Sequence, residues 1–249
     1  VFTCTVGVIG YWGVSHLGGQ IVEIGEVRLP SVDSLRVIET QLNAIRTAQR
    51  TLVNPQLTAE DRKRQFDNLA KAREEYKKSW DIYEPLPQTE LESQLWKEFV
   101  PAINAWKEEN NLFEQYAEEL GTTDIYNPVA LERELQKFRG DHYALMQKAL
   151  ELLALGTEFE GGHDPTACNF GKWMASFQTK NPELQRALAD VRAHHNAFHE
   201  SVAVIREALK NGDKEAATKR FVDVMKPAAE KTFQGFDLML AEAEKASAI

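Results

Sequence analysis

Apolar residues recur every three or four positions along most of this chain, which is the period of an amphipathic helix. No stretch alternates apolar and polar residues as a strand would, and no repeat of fixed period is visible. The pattern therefore predicts an all-α protein, an elongated antiparallel helical bundle with one short extra helix. The strictest seam, with intervals alternating between four and three, runs through Leu184, Leu188, Val191, His195, Phe198, Val202, Ile205 and Leu209.

Turn and cap residues divide the pattern into seven helices. Thr58 and Asp61 resemble a capping box. Pro30 predicts a bend or irregularity and Pro101 a kink inside helices, and Pro227 also lies within a helix. Gly121 is expected to end the third helix. The first predicted helix ends at Asn54-Pro55. The other six cover residues 58–83, 88–120, 128–155, 165–177, 182–211 and 213 to the C-terminus.

The first nineteen residues carry no charged side chain, and the first basic residue is Arg28. Their apolar part is shorter than the roughly 20 residues that span a bilayer. We interpret residues 1–19 as the end of a truncated transmembrane helix. A signal-peptide segment or a buried core segment are the alternatives.

Composition excludes several classes of protein. The 249 residues are 43% hydrophobic and 27% charged, which is typical of a folded soluble domain. A net charge of −9 without a basic, aromatic-rich run argues against nucleic acid as a partner. Two cysteines cannot form a disulfide framework, and Cys4 and Cys168 lie in such different surroundings that a bridge between them is not expected.

Two predicted helices place a histidine where the apolar seam calls for Leu or Val. His195 fills such a slot in the strict seam above, and His199 follows one turn later on the same side. A single buried histidine usually has a hydroxyl or carbonyl partner. Two of them, with His199 and a nearby cysteine, favour a metal site. The second seam runs through Leu131, Leu135, Phe138, His142, Leu145, Ala149 and Leu152.

The cysteine occurs in the stretch GGHDPTACNFGKW, residues 161–173. Asp164 can cap a helix whose first residue is Pro165, which puts Cys168 in or near its first turn. There the helix dipole would lower the thiol pKa and favour thiolate. One thiolate and three neutral imidazoles suit a tetrahedral Zn²⁺ ion. The alternative, a small buried apolar cysteine, fits the polar approach poorly.

These residues resemble the chemoreceptor zinc-binding domain family over about 131–225. The family's pattern is a His often preceded by Asp, then Cys-x-[Leu/Phe]-Gly-x-[Trp/Tyr], then His-x-x-x-His. The resemblance implies a zinc site, Asp141 as a partner of a ligand, and no ligand role for His163 or His194. The matching positions are the implied ligands His142, Cys168, His195 and His199 and the packing residues Phe170, Gly171 and Trp173.

The remaining residues, about 20–120 and 226–249, resemble the four-helix sensor module of methyl-accepting chemotaxis proteins. The resulting domain division is 1–19 for the membrane helix end, 20–125 for the sensor bundle, 126–225 for the zinc module and 226–249 for a returning helix. The resemblance implies a homodimer formed through the receptor, chemotaxis signalling proteins as partners, and membrane helices on both sides. Most such receptors carry the zinc module in the cytoplasm, but the apolar start here predicts a sensor region outside the cytoplasm at the cell membrane.

The predicted function is sensory and not enzymatic, with zinc occupancy or oxidation of Cys168 as the input. Three alternatives remain: a small-molecule sensor in which zinc is structural, a zinc hydrolase if His142 is too distant to bind, and a di-iron or haem protein. The last is disfavoured because the Glu-x-x-His pair, Glu160 and His163, lies in a glycine-rich loop. Arg46, Arg50 and Arg73 could form an anion site, although solvated or interface arginines explain them better.

Overall fold

A computed structural model describes residues 2–249, with side chains from residue 5 onward. Within that range the structure is helical and contains no strand, which confirms the all-α prediction. The side chain of Cys4 lies outside the described residues, so the expectation that it forms no bridge stays a prediction. The helices are α1 (Phe2–Glu23), α2 (Leu29–Leu52), α3 (Ala59–Tyr83), α4 (Glu90–Thr123), α5 (Pro128–Leu155), α6 (Asn169–Ser176), α7 (Pro182–Lys210), α8 (Lys214–Arg220) and α9 (Lys226–Ser247).

The chain divides into two compact units, residues 1–117 and 118–249, and the division falls inside α4. In the first unit α2 and α3 pack as a helical hairpin around a small core. The buried residues of that core are Ile45, Ala48, Leu52, Leu69 and Ala72.

Aromatic side chains fill the space between α3 and α4 in the first unit. The ring of Trp96 lies 4.3 Å from that of Trp80 and 4.6 Å from that of Tyr83, measured between centroids. Arg73 on α3 also pairs with Glu114 on α4 at 2.7 Å. The helices α3 and α4 of this unit are therefore joined mainly through large rings and one ion pair.

The second unit has the larger core, which α5, α7 and α9 share. Phe138 on α5, Phe198 on α7 and Phe236 on α9 are all buried in it. The short helix α6 contributes Phe170, which is fully buried. Residues 226–249, for which the sequence suggested a separate returning helix, thus form part of this core.

Two helices contain a π-helical turn at the same distance before a proline. The turns are Ile24–Arg28 and Phe221–Met225. Pro30 lies two residues after the first turn, and Pro227 lies two residues after the second. A proline ring clashes with the carbonyl four residues earlier, and that carbonyl lies inside the π turn in both cases. The wider turn accommodates the ring without ending the helix. The irregularity expected at Pro30 takes this form.

Some helix ends differ from the sequence prediction. α4 passes through Gly121 and ends at Thr123, where Asp124 adopts a left-handed conformation with φ of 55°. The last predicted helix begins as α8, capped by Asp213, and continues through a π turn into α9. The short helix begins at Asn169 and not at Pro165, because residues 165–168 form a turn.

The large apolar side chains of α1 are exposed where they are described, for example Tyr11 and Trp12. Among the described residues, none of the helices combines the length and the apolar character needed to cross a bilayer.

Candidate metal centre

His142 lies in the middle of α5 with only 2% of its surface exposed. Its Nδ1–H donates to the carbonyl oxygen of Phe138, one turn earlier, at 2.6 Å. A carbonyl can only accept, so Nδ1 carries the proton and Nε2 holds the lone pair. Nε2 is buried and has no hydrogen-bond partner. The imidazole is therefore oriented by the helix backbone and offers one nitrogen for metal binding.

Of the three histidines of α7, His195 and His199 are buried, with 0% of His195 and 2% of His199 exposed, and His195 thus occupies the seam position as predicted. Nδ1–H of His199 donates to the carbonyl oxygen of Gly162 at 2.7 Å, which leaves its Nε2 buried without a partner. Gly162 has a φ of 82°, a conformation open to glycine that lets the loop turn its carbonyl toward α7. Nε2 of His195 lies 3.2 Å from Sγ of Cys168.

Cys168 is the residue that caps the N-terminus of α6. Its Sγ accepts a hydrogen bond from the backbone N–H of Gly171 at 3.2 Å. A Cβ at Gly171 would lie 1.9 Å from the carbonyl oxygen of Pro165, so only glycine fits here. The Gly in the Cys-x-Phe-Gly motif thus lets the preceding turn close tightly and aims its own N–H at the sulfur.

One potential ligand atom from each of His142, Cys168, His195 and His199 lies within 4.8 Å of all the others. Tetrahedral zinc with Zn–N near 2.1 Å and Zn–S near 2.3 Å needs ligand atoms about 3.5 Å apart. The group is slightly wider than the ion requires. Three imidazole nitrogens and one sulfur, two of those nitrogens buried without a partner, nevertheless fit zinc in number and in chemistry.

Phenylalanine rings surround the group and set its electrostatics. The His142 ring lies 5.1 Å from Phe198 and 6.1 Å from Phe236, and the His195 ring lies 5.0 Å from Phe170. Burial lowers the pKa of His142 to about 4. Burial, with the neighbouring imidazoles, lowers the pKa of His195 to about 3. The imidazoles are therefore neutral at pH 7, which is the state that binds metal.

The structure corrects the prediction that the Cys168 side chain is a thiolate. Burial raises the pKa of Cys168, and the carboxylates of Asp141 and Asp164 raise it further, while hydrogen bonds from Gly171 and Phe170 oppose the rise. Without an ion the side chain is a thiol. Asp164 also caps the turn and not the helix, since its Oδ1 accepts from the N–H and hydroxyl of Thr166.

The structure also places the remaining sequence candidates. Phe170 is fully buried against the His195 ring, and Trp173 is half-buried and stacks on Phe177 with centroids 4.2 Å apart. Asp141 is exposed, and its Oδ2 accepts from the amide of Asn169 at 2.7 Å. The other two histidines of this unit, His163 and His194, are exposed and lie outside the four-residue group.

The sequence reasoning missed the groups that orient the ligands. These are backbone carbonyls, at Phe138 for His142 and at Gly162 for His199. The first could have been found, because a helical side chain reaches back over the preceding turn. The second depends on a loop conformation that only the paired glycines 161 and 162 hinted at.

The first unit contains two cavities of its own, with volumes of about 650 and 500 Å³. Trp96, Phe99 and Arg46 line the larger one, which lies between α2 and α4. Arg73 lines the smaller one, but its guanidinium is engaged by Glu114. The ion pair with Glu114 therefore argues against the suggested anion site at Arg73.

Two protein families match the chain. Residues 1–154 match the four helix bundle sensory module for signal transduction, and because this is more than half of the chain, the protein belongs to that family. Residues 142–206 match the chemoreceptor zinc-binding domain, a stretch that begins at His142 and includes the other three candidate ligands. Both resemblances and zinc as the cofactor are thereby confirmed. Neither family is described as an enzyme. No curated protein and no solved structure matches the chain.

The predicted location, a sensor region outside the cytoplasm at the cell membrane, is wrong. The match to the chemoreceptor zinc-binding domain overturns the prediction, because most receptors that this sequence resembles carry that module in the cytoplasm.

Proposed function

We propose that this chain is the sensory region of a chemoreceptor, and that it holds one zinc ion through His142, Cys168, His195 and His199. One observation carries the proposal. Side chains from α5, α7 and the start of α6 bring four ligand atoms within 4.8 Å in an apolar core, and two of the nitrogens have no other partner. When bound, zinc supplies a divalent charge that joins these three elements and takes the place of the thiol proton.

The residues around the site couple it to α9, the last helix. The rings of Phe233 and Phe236 lie 6.4 and 6.1 Å from His142, and Phe236 lies 4.8 Å from Phe170. A change at the site moves the imidazole and α6, and both pack on α9. We expect α9 to pass this change on as a shift in helix position. Couplings of this kind are on the order of 1–3 kcal/mol.

The domain division of the sequence analysis belongs to the same proposal: residues 20–125 as a sensor bundle, 126–225 as the zinc module and 226–249 as the returning helix. Chemoreceptors act as homodimers and pass signals to chemotaxis proteins, and we expect both kinds of partner for this chain. Four protein ligands leave no open position for a substrate or water, so we expect a signalling role and no hydrolysis.

Metal analysis of the purified chain tests the proposal. We expect about one zinc per chain in the wild type and strong loss in His142→Ala, Cys168→Ser, His195→Ala and His199→Ala. The matched controls His163→Ala and His194→Ala remove exposed histidines of the same unit and should keep the metal. A wild-type chain without zinc, or controls that lose it equally, would contradict the assignment.

In a second version of this function, the input is oxidation of Cys168. A peroxide would oxidise the thiolate to a sulfenate as the O–O bond breaks and one oxygen leaves as water or hydroxide. The weakened sulfur ligand would release the ion. Peroxide should then release zinc from the wild-type chain. If zinc stays bound while mass spectrometry shows oxidised Cys168, this version fails and the zinc site itself stands.

A small-molecule ligand in the first unit is the second candidate function. The supporting observation is the cavity of about 650 Å³, which is lined by tryptophan and phenylalanine side chains. Ligand sites are typically apolar clefts of several hundred cubic ångströms with few polar groups, and this cavity has that size and character. A thermal-shift screen of small organic acids and amines tests it. A ligand of this cavity should lose its effect in Trp96→Ala and keep it in Cys168→Ser.

A further inference from the structure

A cavity of about 160 Å³ adjoins the metal centre on one side. Asp141, Asp164 and Ala167 form its exposed part, and the buried side chains of His142 and His199 form its inner part. Cys168, which is half-buried, also lines it. The cavity therefore leads from the surface to three of the four candidate ligands.

The inner part of the cavity presents atoms that call for a cation. His142 and His199 are each 2% exposed, and the Nε2 atom of each is buried without a hydrogen-bond partner. The liquid volume of one water molecule is about 30 Å³, so the cavity has room for about five. A partly hydrated metal ion can pass through a space of this size.

The outer part carries all the formal charge of the cavity. Eight described residues line it, and Asp141 and Asp164 are the acidic ones, with no lysine or arginine among the eight. Both carboxylates are held in place by neighbours: Asp141 accepts from the amide of Asn169 at 2.7 Å, and Asp164 accepts from Thr166. They are therefore fixed at the exposed part, and neither belongs to the four-residue group.

We propose that Asp141 and Asp164 form the route by which the metal ion reaches the buried ligands. The two carboxylates attract the hydrated Zn²⁺ ion and offer oxygen atoms that can replace some of its waters before the imidazoles and the thiolate bind it. Their role is in the rate of metal capture and not in holding the ion. The inference rests on the proposed zinc site and assigns a function to residues outside it.

The size of the effect follows from elementary electrostatics. A divalent ion several ångströms from one carboxylate in water gains enough attraction to raise its capture rate about three- to tenfold, and salt reduces the gain. Removing one carboxylate should therefore slow association by about that factor at low ionic strength. Dissociation should change little, because the four ligands remain.

Stopped-flow kinetics of the full chain with Zn²⁺ alone test the proposal, with a chromophoric zinc indicator as the competitor. The variants are Asp141→Asn and Asp164→Asn, which keep an oxygen that can accept from Asn169 and from Thr166 but remove the charge. Glu200→Gln is the matched control, since Glu200 is exposed and follows the ligand His199 directly, as Asp141 precedes His142. Circular dichroism of the metal-free forms checks that each variant keeps its helices.

We expect association to slow about three- to tenfold in each Asp variant at low salt, with the difference shrinking when the salt concentration is raised well above the physiological level. Equal association rates in wild type and both variants would overturn the proposal. An equally slowed association in Glu200→Gln would also overturn it, because the net charge of the chain would then explain the effect. A faster dissociation with unchanged association would also overturn it, because the carboxylates would then be part of the binding site. A wild-type chain that binds no zinc at all contradicts the proposed function and not merely this route.

Discussion

Gly235 of α9 lies so close to Val191 of α7 that a Cβ at Gly235 would meet Cγ2 of Val191 at 1.9 Å. Val191 lies one turn before His195, and Gly235 lies between Phe233 and Phe236, whose rings approach His142. A close contact of α7 with α9 is thus next to the candidate metal centre. At this contact α9 has little room to move against α7.

Gly235→Ala should destabilise the protein, because the added methyl group must displace Val191 in a well-packed core. Overpacking of this kind costs about 1–3 kcal/mol. Urea unfolding followed by circular dichroism measures it. The double variant Gly235→Ala with Val191→Ala should recover part of the loss, since it empties the space that the new methyl needs.

Gly140→Ala is the control for the previous variant. Gly140 lies within α5 and has open space where a Cβ would stand. Alanine there should stabilise the helix by roughly 0.5–1 kcal/mol. If both alanine variants stabilise the protein equally, the close contact of α7 and α9 is contradicted.

The helical period was sufficient to predict the fold class and the buried side of α5 and of α7. His195 replaces an apolar residue in a strict seam, and it is fully buried as the seam requires. The prediction worked because burial in a bundle depends on position along a helix, which the sequence states directly. The family pattern then named His142, Cys168, His195 and His199 as one group, and their ligand atoms do lie together.

The sequence was less informative about the approach to Cys168. Asp164 and Pro165 have the residue types of a helix start, yet the chain forms a turn first and the helix begins at Asn169. The reason is Gly171: it lets the Pro165 carbonyl approach within a distance that any Cβ would block. A single contact between residues six apart follows no helical or strand period, so the pattern of apolar residues could not predict it.

Gly171→Ala should impair metal binding more than stability. The methyl group would collide with the Pro165 carbonyl, so the turn must open and move Cys168 away from His195. We expect zinc affinity to fall at least tenfold while the helical content stays close to that of the wild type. Competition with a zinc indicator measures the affinity. Gly121→Ala in α4, where nothing lies within 4 Å of the new Cβ, should leave the affinity unchanged.

His142→Leu should make the metal-free protein less sensitive to acid. Burial holds the pKa of His142 at about 4 in the folded protein, whereas an unfolded chain has the ordinary histidine value of about 6.5. Because the unfolded chain binds the extra proton, the stability from neutral His142 is complete above about pH 6.5 and is lost as the pH falls toward 4. Between pH 7 and pH 5 this single group accounts for about 1–2 kcal/mol.

Urea unfolding of the chelator-treated protein at pH 7 and pH 5 measures that difference. The wild type should lose more stability than His142→Leu, in which leucine completes the apolar seam. His194→Leu, at an exposed position on α7, should behave as the wild type. If His142→Leu keeps the full pH dependence, His142 is not buried in its neutral form.

Zinc binding at pH 7 should release about one proton per ion, and the proton should come from Cys168. The raised pKa of Cys168 keeps it a thiol until the metal arrives, whereas the lowered pKa values of His142, His195 and His199 mean that these rings are already neutral and release no proton when the ion binds. Isothermal titration calorimetry in two buffers with different ionisation enthalpies counts the protons. Cys168→Ser, titrated at concentrations high enough to fill its weakened site, should release close to none. A wild-type release near zero would mean that the thiolate forms before the ion binds, as the position of Cys168 at a helix N-terminus suggested. A release of two or more would mean that at least one imidazole is protonated in the metal-free protein. The proton count therefore shows whether burial or the helix dipole dominates the pKa of Cys168.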